Sequence, residues 1–410
     1  MQKKISVFIL VLAVVFIAYS CSQKKTSGPS GPYFPTDTPV VTKTSGTTKT
    51  ITPTSTYSPV VSATPSYTVS GTFTSSPTAT ISATNTATYT TSLTFTITQT
   101  STITATRTIT STQTATPISG GIWTATLGTS FSPRYSHQSI VYNNEMWVIA
   151  GWDSNSNPLN DTWHSSDGAN WTQAISAAAF NARAYFSCVA YNNQMWVIGG
   201  CDNTYGYNDV WYSSNGAGWI CANTAALFDA RYSQTSVVFN NKMWVIAGYD
   251  VATGNDANDT WYSSDGADWS EATGNAAFSP RDSQTSVVFN NEMWVIAGWD
   301  NNLNPLNDTW YSSDGVNWAP GASSAQFNAR FWHTSVVYNN EMWVIGGYDT
   351  NYDYDDVWFS GDGINWTQAT PGAAFSARDS HASVTYNNAM WVLGGSDSNS
   401  TVLNDVWWAQ

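Results

Sequence analysis

Residues 143–151 read Asn-Asn-Glu-Met-Trp-Val-Ile-Ala-Gly, and close copies of this phrase recur five more times before residue 410. Its Trp falls at Trp147, Trp196, Trp244, Trp294, Trp343 and Trp391, at intervals of 49, 48, 50, 49 and 48 residues. The Asn pair tolerates positive φ and marks a two-residue hairpin turn. On either side, His137–Tyr142 and Glu145–Ala150 read as antiparallel strands. A variable loop from Trp152 to Leu159 leads to a third strand around Asp161-Thr162-Trp163. Asp167-Gly168 is a second tight turn, and Asn170-Trp171-Thr172 opens a fourth strand.

Four short antiparallel strands repeated every 40–50 residues are the pattern of a β-propeller blade. A single blade cannot cover both of its faces, so the core must come from packing against neighbours. Six copies predict an all-β, six-bladed ring over residues 119–410. The sixth copy stops at Trp407-Trp408-Ala409-Gln410, before its second turn and fourth strand. Trp123-Thr124, upstream of the first copy, sits in phase with Trp171, Trp219, Trp269, Trp318 and Trp366. An N-terminal strand is therefore expected to complete the last blade and remove an exposed edge.

Each repeat also carries an Arg (Arg134, Arg183, Arg231, Arg281, Arg330 and Arg378), a Gly pair such as Gly199-Gly200, and a late Trp such as Trp171. This pattern resembles the kelch repeat of galactose-oxidase-like propellers. Ala150, Ala247 and Ala297 stand where kelch repeats usually have the first Gly, and Trp replaces the usual Tyr before the apolar run. The copper site of galactose oxidase needs paired Tyr, paired His and a Cys–Tyr crosslink, and those ligands do not map onto this sequence. The Ser-Ser-Asp-Gly turns resemble sialidase Asp-boxes but are one residue shorter to the Trp.

The N-terminal region differs in kind. Lys3 and Lys4 precede an apolar stretch from Ile5 to Ala18, the pattern of a secretory signal over residues 1–20. Ala18-Tyr19-Ser20-Cys21 resembles a bacterial lipobox, which implies lipidation of Cys21 and, with Ser22 next, an outer-membrane address in a diderm cell. Residues 21–118 are rich in Thr, Ser and Pro, and every even-numbered residue from Thr94 to Thr116 is Thr. Such composition supplies too little apolar surface to fold and reads as a disordered stalk. The expectation is a cell-surface protein touching the membrane only through its lipid.

Residues 119–410 hold seven Lys and Arg against 27 Asp and Glu, a formal charge of −20. Without a basic stripe, nucleic acid is excluded as a partner. Cys188, Cys201 and Cys221 all lie in the second repeat, where an exported protein has room for one disulfide whose pairing the sequence leaves open.

An Arg present in all six repeats serves a contact made six times. A buried Arg needs a carboxylate or carbonyl partner. Each repeat offers two Asp, one in the series of Asp153 and one in that of Asp161. His137, His333 and His381 follow three of the Arg by three residues, but neither a metal nor another cofactor is expected, and no catalytic triad or close carboxylate pair stands out. The repeats differ in their loops, where Trp152, Tyr205, Tyr249, Trp299, Trp332, Tyr348 and Tyr352 are expected to form an aromatic rim on one face. Such rings stack on sugars or anchor protein partners. The head is thus expected to be a monomer that binds a neutral glycan or a protein. The alternatives are an oxidase or glycan-cleaving enzyme and a passive structural protein.

Overall fold

The computed structural model describes residues 122–126 and 128–410; the expected signal, lipidation site and stalk lie outside these residues. Six antiparallel sheets follow one another, and the innermost strand of each touches those of the sheets before and after it, the sixth returning to the first. The described residues contain no helix. This is the six-bladed propeller that the period predicts.

Blade 1 shows how the sequence makes the sheet. Its inner strand, Gln138–Tyr142, turns through Asn143 and Asn144 at φ 49° and 58° and returns as Glu145–Asp153. Two consecutive positive φ values define the turn whose twist matches that of the flanking strands, and Asn accepts them at low cost. The second strand is buried from Met146 to Trp152, since blades cover it on both sides. Pro158–Ser165 and Thr172–Ile175 complete the blade.

The second strand runs three residues beyond the expected end at Ala150. A register shift between Ile149 and Gly151 places Ala150 in a bulge at φ 51°, after which Trp152 and Asp153 pair with Tyr135 and Arg134. Bulges of this kind bend a strand and re-aim the side chains beyond the extra residue.

Six hydrophobic clusters hold the ring, one at each junction between blades. At the first junction Tyr142, Trp147 and Ile149 of blade 1 meet Phe180, Phe186, Met195 and Trp219 of blade 2. The Trp147 ring lies flat over the Asp-Gly-type turn of blade 2, where a Cβ on Gly216 would come within 1.9 Å of it.

Closure reuses the same contacts. Thr124 and Ala125 pair with Trp408 and Trp407, giving the sixth blade its outer strand. Trp123 packs edge-on to Phe375 at 5.0 Å, as Trp171 does to Phe131 at 5.1 Å. In blades 1, 3 and 4 a third-strand Thr donates to the turn carbonyl of the next blade. Blade 6 has Val406 at that position, and Thr126 of the N-terminal segment donates to the Gly168 carbonyl instead.

Gly216→Ala tests this junction directly. The added methyl meets the ring of Trp147 on a residue at φ 71°, so both packing and backbone oppose it. The expected loss is on the order of 2–3 kcal/mol in urea unfolding. Ala217→Gly, one residue on in the same turn, is the control.

Candidate functional site

Each repeat Arg is committed to structure. Arg134 Nη1 and Nη2 donate to Asp161 Oδ1 and Oδ2 at 2.8 and 2.9 Å, and Nη1 also donates to the bulge carbonyl of Ala150 at 2.9 Å. Its Nε donates to the Ser132 carbonyl, and the guanidinium lies against Phe131. The other five Arg repeat the bidentate pair with Asp209, Asp259, Asp308, Asp356 and Asp405. Of the two Asp series offered by the sequence, the one beginning at Asp161 is therefore the partner. The other, beginning at Asp153, accepts backbone N–H groups within its own loop.

Two residues after each Arg the backbone turns left-handed, at φ 50–55°, in Ser136, Tyr185, Ser233, Ser283, Trp332 and Ser380. The amide of each donates to the carbonyl of its counterpart in the preceding blade, at 2.8–3.3 Å, until the circle closes from Ser136 to Ser380. Six hydrogen bonds thus ring the axis on the loop face. Four of the six residues are Ser, but Tyr185 and Trp332 come from opposite blades and their rings meet at 6.5 Å.

Around this pair lies the aromatic surface. Tyr232 stacks on Tyr249 at 4.9 Å, and Tyr185 reaches Tyr232 at 6.1 Å. Phe331 sits against Trp299, Trp332 and Tyr348, at 4.3, 4.7 and 5.5 Å. Tyr249, Trp299, Trp332 and Tyr348 are half-buried in this mouth. Tyr205 and Tyr352 stand at loop tips, 58% and 70% exposed. Trp152 departs from expectation: it is 2% exposed, although the same strand position leaves Tyr249 and Trp299 half-buried at the mouth.

Two carboxyl pairs were not legible in the sequence, and they correct the reading that no close carboxylate pair exists. Asp256 of blade 3 bonds to Asp282 of blade 4, and Asp353 of blade 5 to Asp379 of blade 6. Within each pair the partners lie 26 residues apart on different blades. Burial, then the neighbouring Asp282 charge, pushes Asp256 up to about 9, and burial pushes Asp282 up to about 6. Burial likewise raises Asp353 and Asp379. Two carboxyls this close cannot both ionise, so each pair holds a proton at neutral pH.

Below the amide ring is an axial cavity of about 260 Å³, bordered by His137, His333 and His381. Burial, reinforced by the nearby repeat Arg, lowers all three, His381 to about 3. They are neutral at pH 7. Thr285 and Thr334 hydroxyls bond Nε2 of His333 and His381 at 2.9 and 2.8 Å. Among the described residues no group of three or more His, Cys, Asp or Glu is gathered to hold a metal ion. Cys188, Cys201 and Cys221 form no disulfide.

Residues 233–410 match the KLHDC2/KLHL20/DRC7 Kelch-repeats domain, and residues 182–212 match the Kelch motif. These matches fall on the second to sixth blades of the propeller. No curated protein matches the chain in sequence.

The Asp256–Asp282 proton gives a pH test. Folded Asp256 keeps its proton to about pH 9, while an unfolded Asp releases it near 3.8. The folded state therefore binds the extra proton, and stability falls as pH rises through that window. Asp256→Asn cannot ionise and retains a donor to Asp282. By calorimetry it is expected to melt above the native protein at pH 8 and level with it near pH 4.

Proposed function

We propose that this chain is an exported, lipid-anchored surface protein whose propeller head is a binding module for a protein partner, taken up at the aromatic mouth on the loop face. The single observation that carries the reading is the cluster of Trp299, Phe331, Trp332 and Tyr348 beside the exposed Tyr352, packed as interlocking rings rather than scattered. Rigid aromatic groups of this kind dominate binding energy at protein interfaces. Kelch propellers are commonly protein-interaction scaffolds, which supports the same reading.

Electrostatics narrows the partner. The six repeat Arg are all paired with Asp, and Lys242, the remaining basic residue of the head, lies 3.7 Å from the Tyr262 ring. The outer surface thus carries a large excess of carboxylates. A partner with basic side chains gains from this field and from cation–π contact with the rings. A neutral glycan is the second reading, favoured by the open faces of Tyr205 and Tyr352 at the loop tips.

The lipid anchor and stalk suit display of such a head away from a membrane. Globomycin-sensitive processing and membrane loss on Cys21→Ser would test the anchor.

Binding is tested by presenting the purified protein to surface-protein extracts and to an array of neutral glycans. Tyr348→Ala and Tyr352→Ala are expected to weaken capture roughly tenfold or more, with the melting temperature little changed. Unaltered affinity in both variants would remove the mouth as the binding site. Retention of glycans alone would favour the second reading.

A further inference from the structure

The axial cavity gathers buried polar atoms for which the protein supplies no hydrogen-bond partner. Both ring nitrogens of His137, Oε1 of Gln234 and of Gln284, Nε1 of Trp332, and the hydroxyls of Ser139 and Ser383 are among them. His137, Gln234 and Gln284 are each at least nine-tenths buried. The other half of each Gln amide is satisfied. Gln234 and Gln284 donate through Nε2 to the carbonyls of Ile198 and Ile246 in the preceding blade, at 2.7 and 3.1 Å.

Left unmet together, these atoms would cost an amount comparable to a domain's whole margin of stability. The lining itself restricts what meets them. It contains no Asp, Glu, Lys or Arg, and its histidines are neutral, so a charged guest would lose its hydration without gaining a counter-ion. An apolar guest would leave the polar atoms as they are. Carbonyl oxygens of Gln only accept, the Trp332 N–H only donates, and hydroxyls do both. A guest must therefore donate and accept within one small volume.

We propose that the axial cavity is an internal binding site for uncharged hydroxyl-bearing molecules. The volume of 260 Å³ admits roughly nine waters at about 30 Å³ each, or one sugar-sized polyol. The amide ring and the Tyr185–Trp332 contact border it on the loop side. This site lies beneath the mouth and does not rest on the mouth binding a partner.

Oxygen-17 relaxation dispersion of the solvent, measured on the purified protein, reads long-lived internal waters. The expected result is a clear dispersion that loses amplitude in His137→Phe and in Ser383→Ala. Blade 2 already carries Phe186 where blade 1 has His137, so the first variant has a precedent within the ring, and the second removes one oxygen. Glycerol and glucose titrations distinguish the sources. Dispersion unaffected by either identifies water as the occupant, while a saturable loss identifies polyol hydroxyls. Absence of any dispersion together with no polyol-dependent shift in melting temperature, or an amplitude unchanged in both folded variants, would overturn the proposal.

Discussion

A guanidinium buried in every blade is the constraint on which the rest of the ring depends. Arg183 shows how it works. Its amide donates to the Leu159 carbonyl and its carbonyl accepts from Gly151, both in blade 1. Its side chain reaches instead into blade 2, to Asp209 and the bulge carbonyl of Gly199. One residue thus belongs to two blades at once. Removing such a charge from water is costly, and the cost is offset because four of its five N–H groups find well-placed acceptors. The arrangement also requires the bulge, since a regular strand would not turn that carbonyl toward the Arg.

From this hub the loop face is built outward. The bulge lets the second strand continue and pair beside the Arg, which fixes Tyr135 next to Trp152 and Asp282 next to Trp299. The next residues along the chain close the amide circle around the axis. Because that circle uses backbone groups alone, its side chains are free to vary, and Tyr185 and Trp332 are where they do so most. Identity across blades thus marks the hub, and difference across blades marks the candidate site.

That division explains what the sequence disclosed. Repeat period, turn chemistry and the displaced Trp123 are local or periodic signals, so blade number and closure were legible. The Arg partner was narrowed to two Asp series but not chosen, because both are equally periodic. Trp152 follows the same bulge as Tyr249 and Trp299, after Ala150, Ala247 and Ala297, so nothing in its own repeat sets it apart from those half-buried rings. The pairs Asp256–Asp282 and Asp353–Asp379 escaped notice for another reason. Their shared spacing of 26 residues matches no strand or turn period, so only the packing of adjacent blades brings each pair together. The cavity was hidden likewise, since His137, Gln234 and Ser383 look like ordinary strand polars until the ring aligns them.

A double-mutant cycle at one hub, Arg281→Met, Asp308→Ala and the two combined, tests the central claim most directly. Each single change strands a buried charge or its acceptors, and a loss of about 3–5 kcal/mol in equilibrium unfolding is expected from either. The pair is expected to lose well under the sum, with a coupling of at least about 2 kcal/mol. Single losses below about 1 kcal/mol, or additivity within about 0.5 kcal/mol, would contradict the claim that this contact organises the blade.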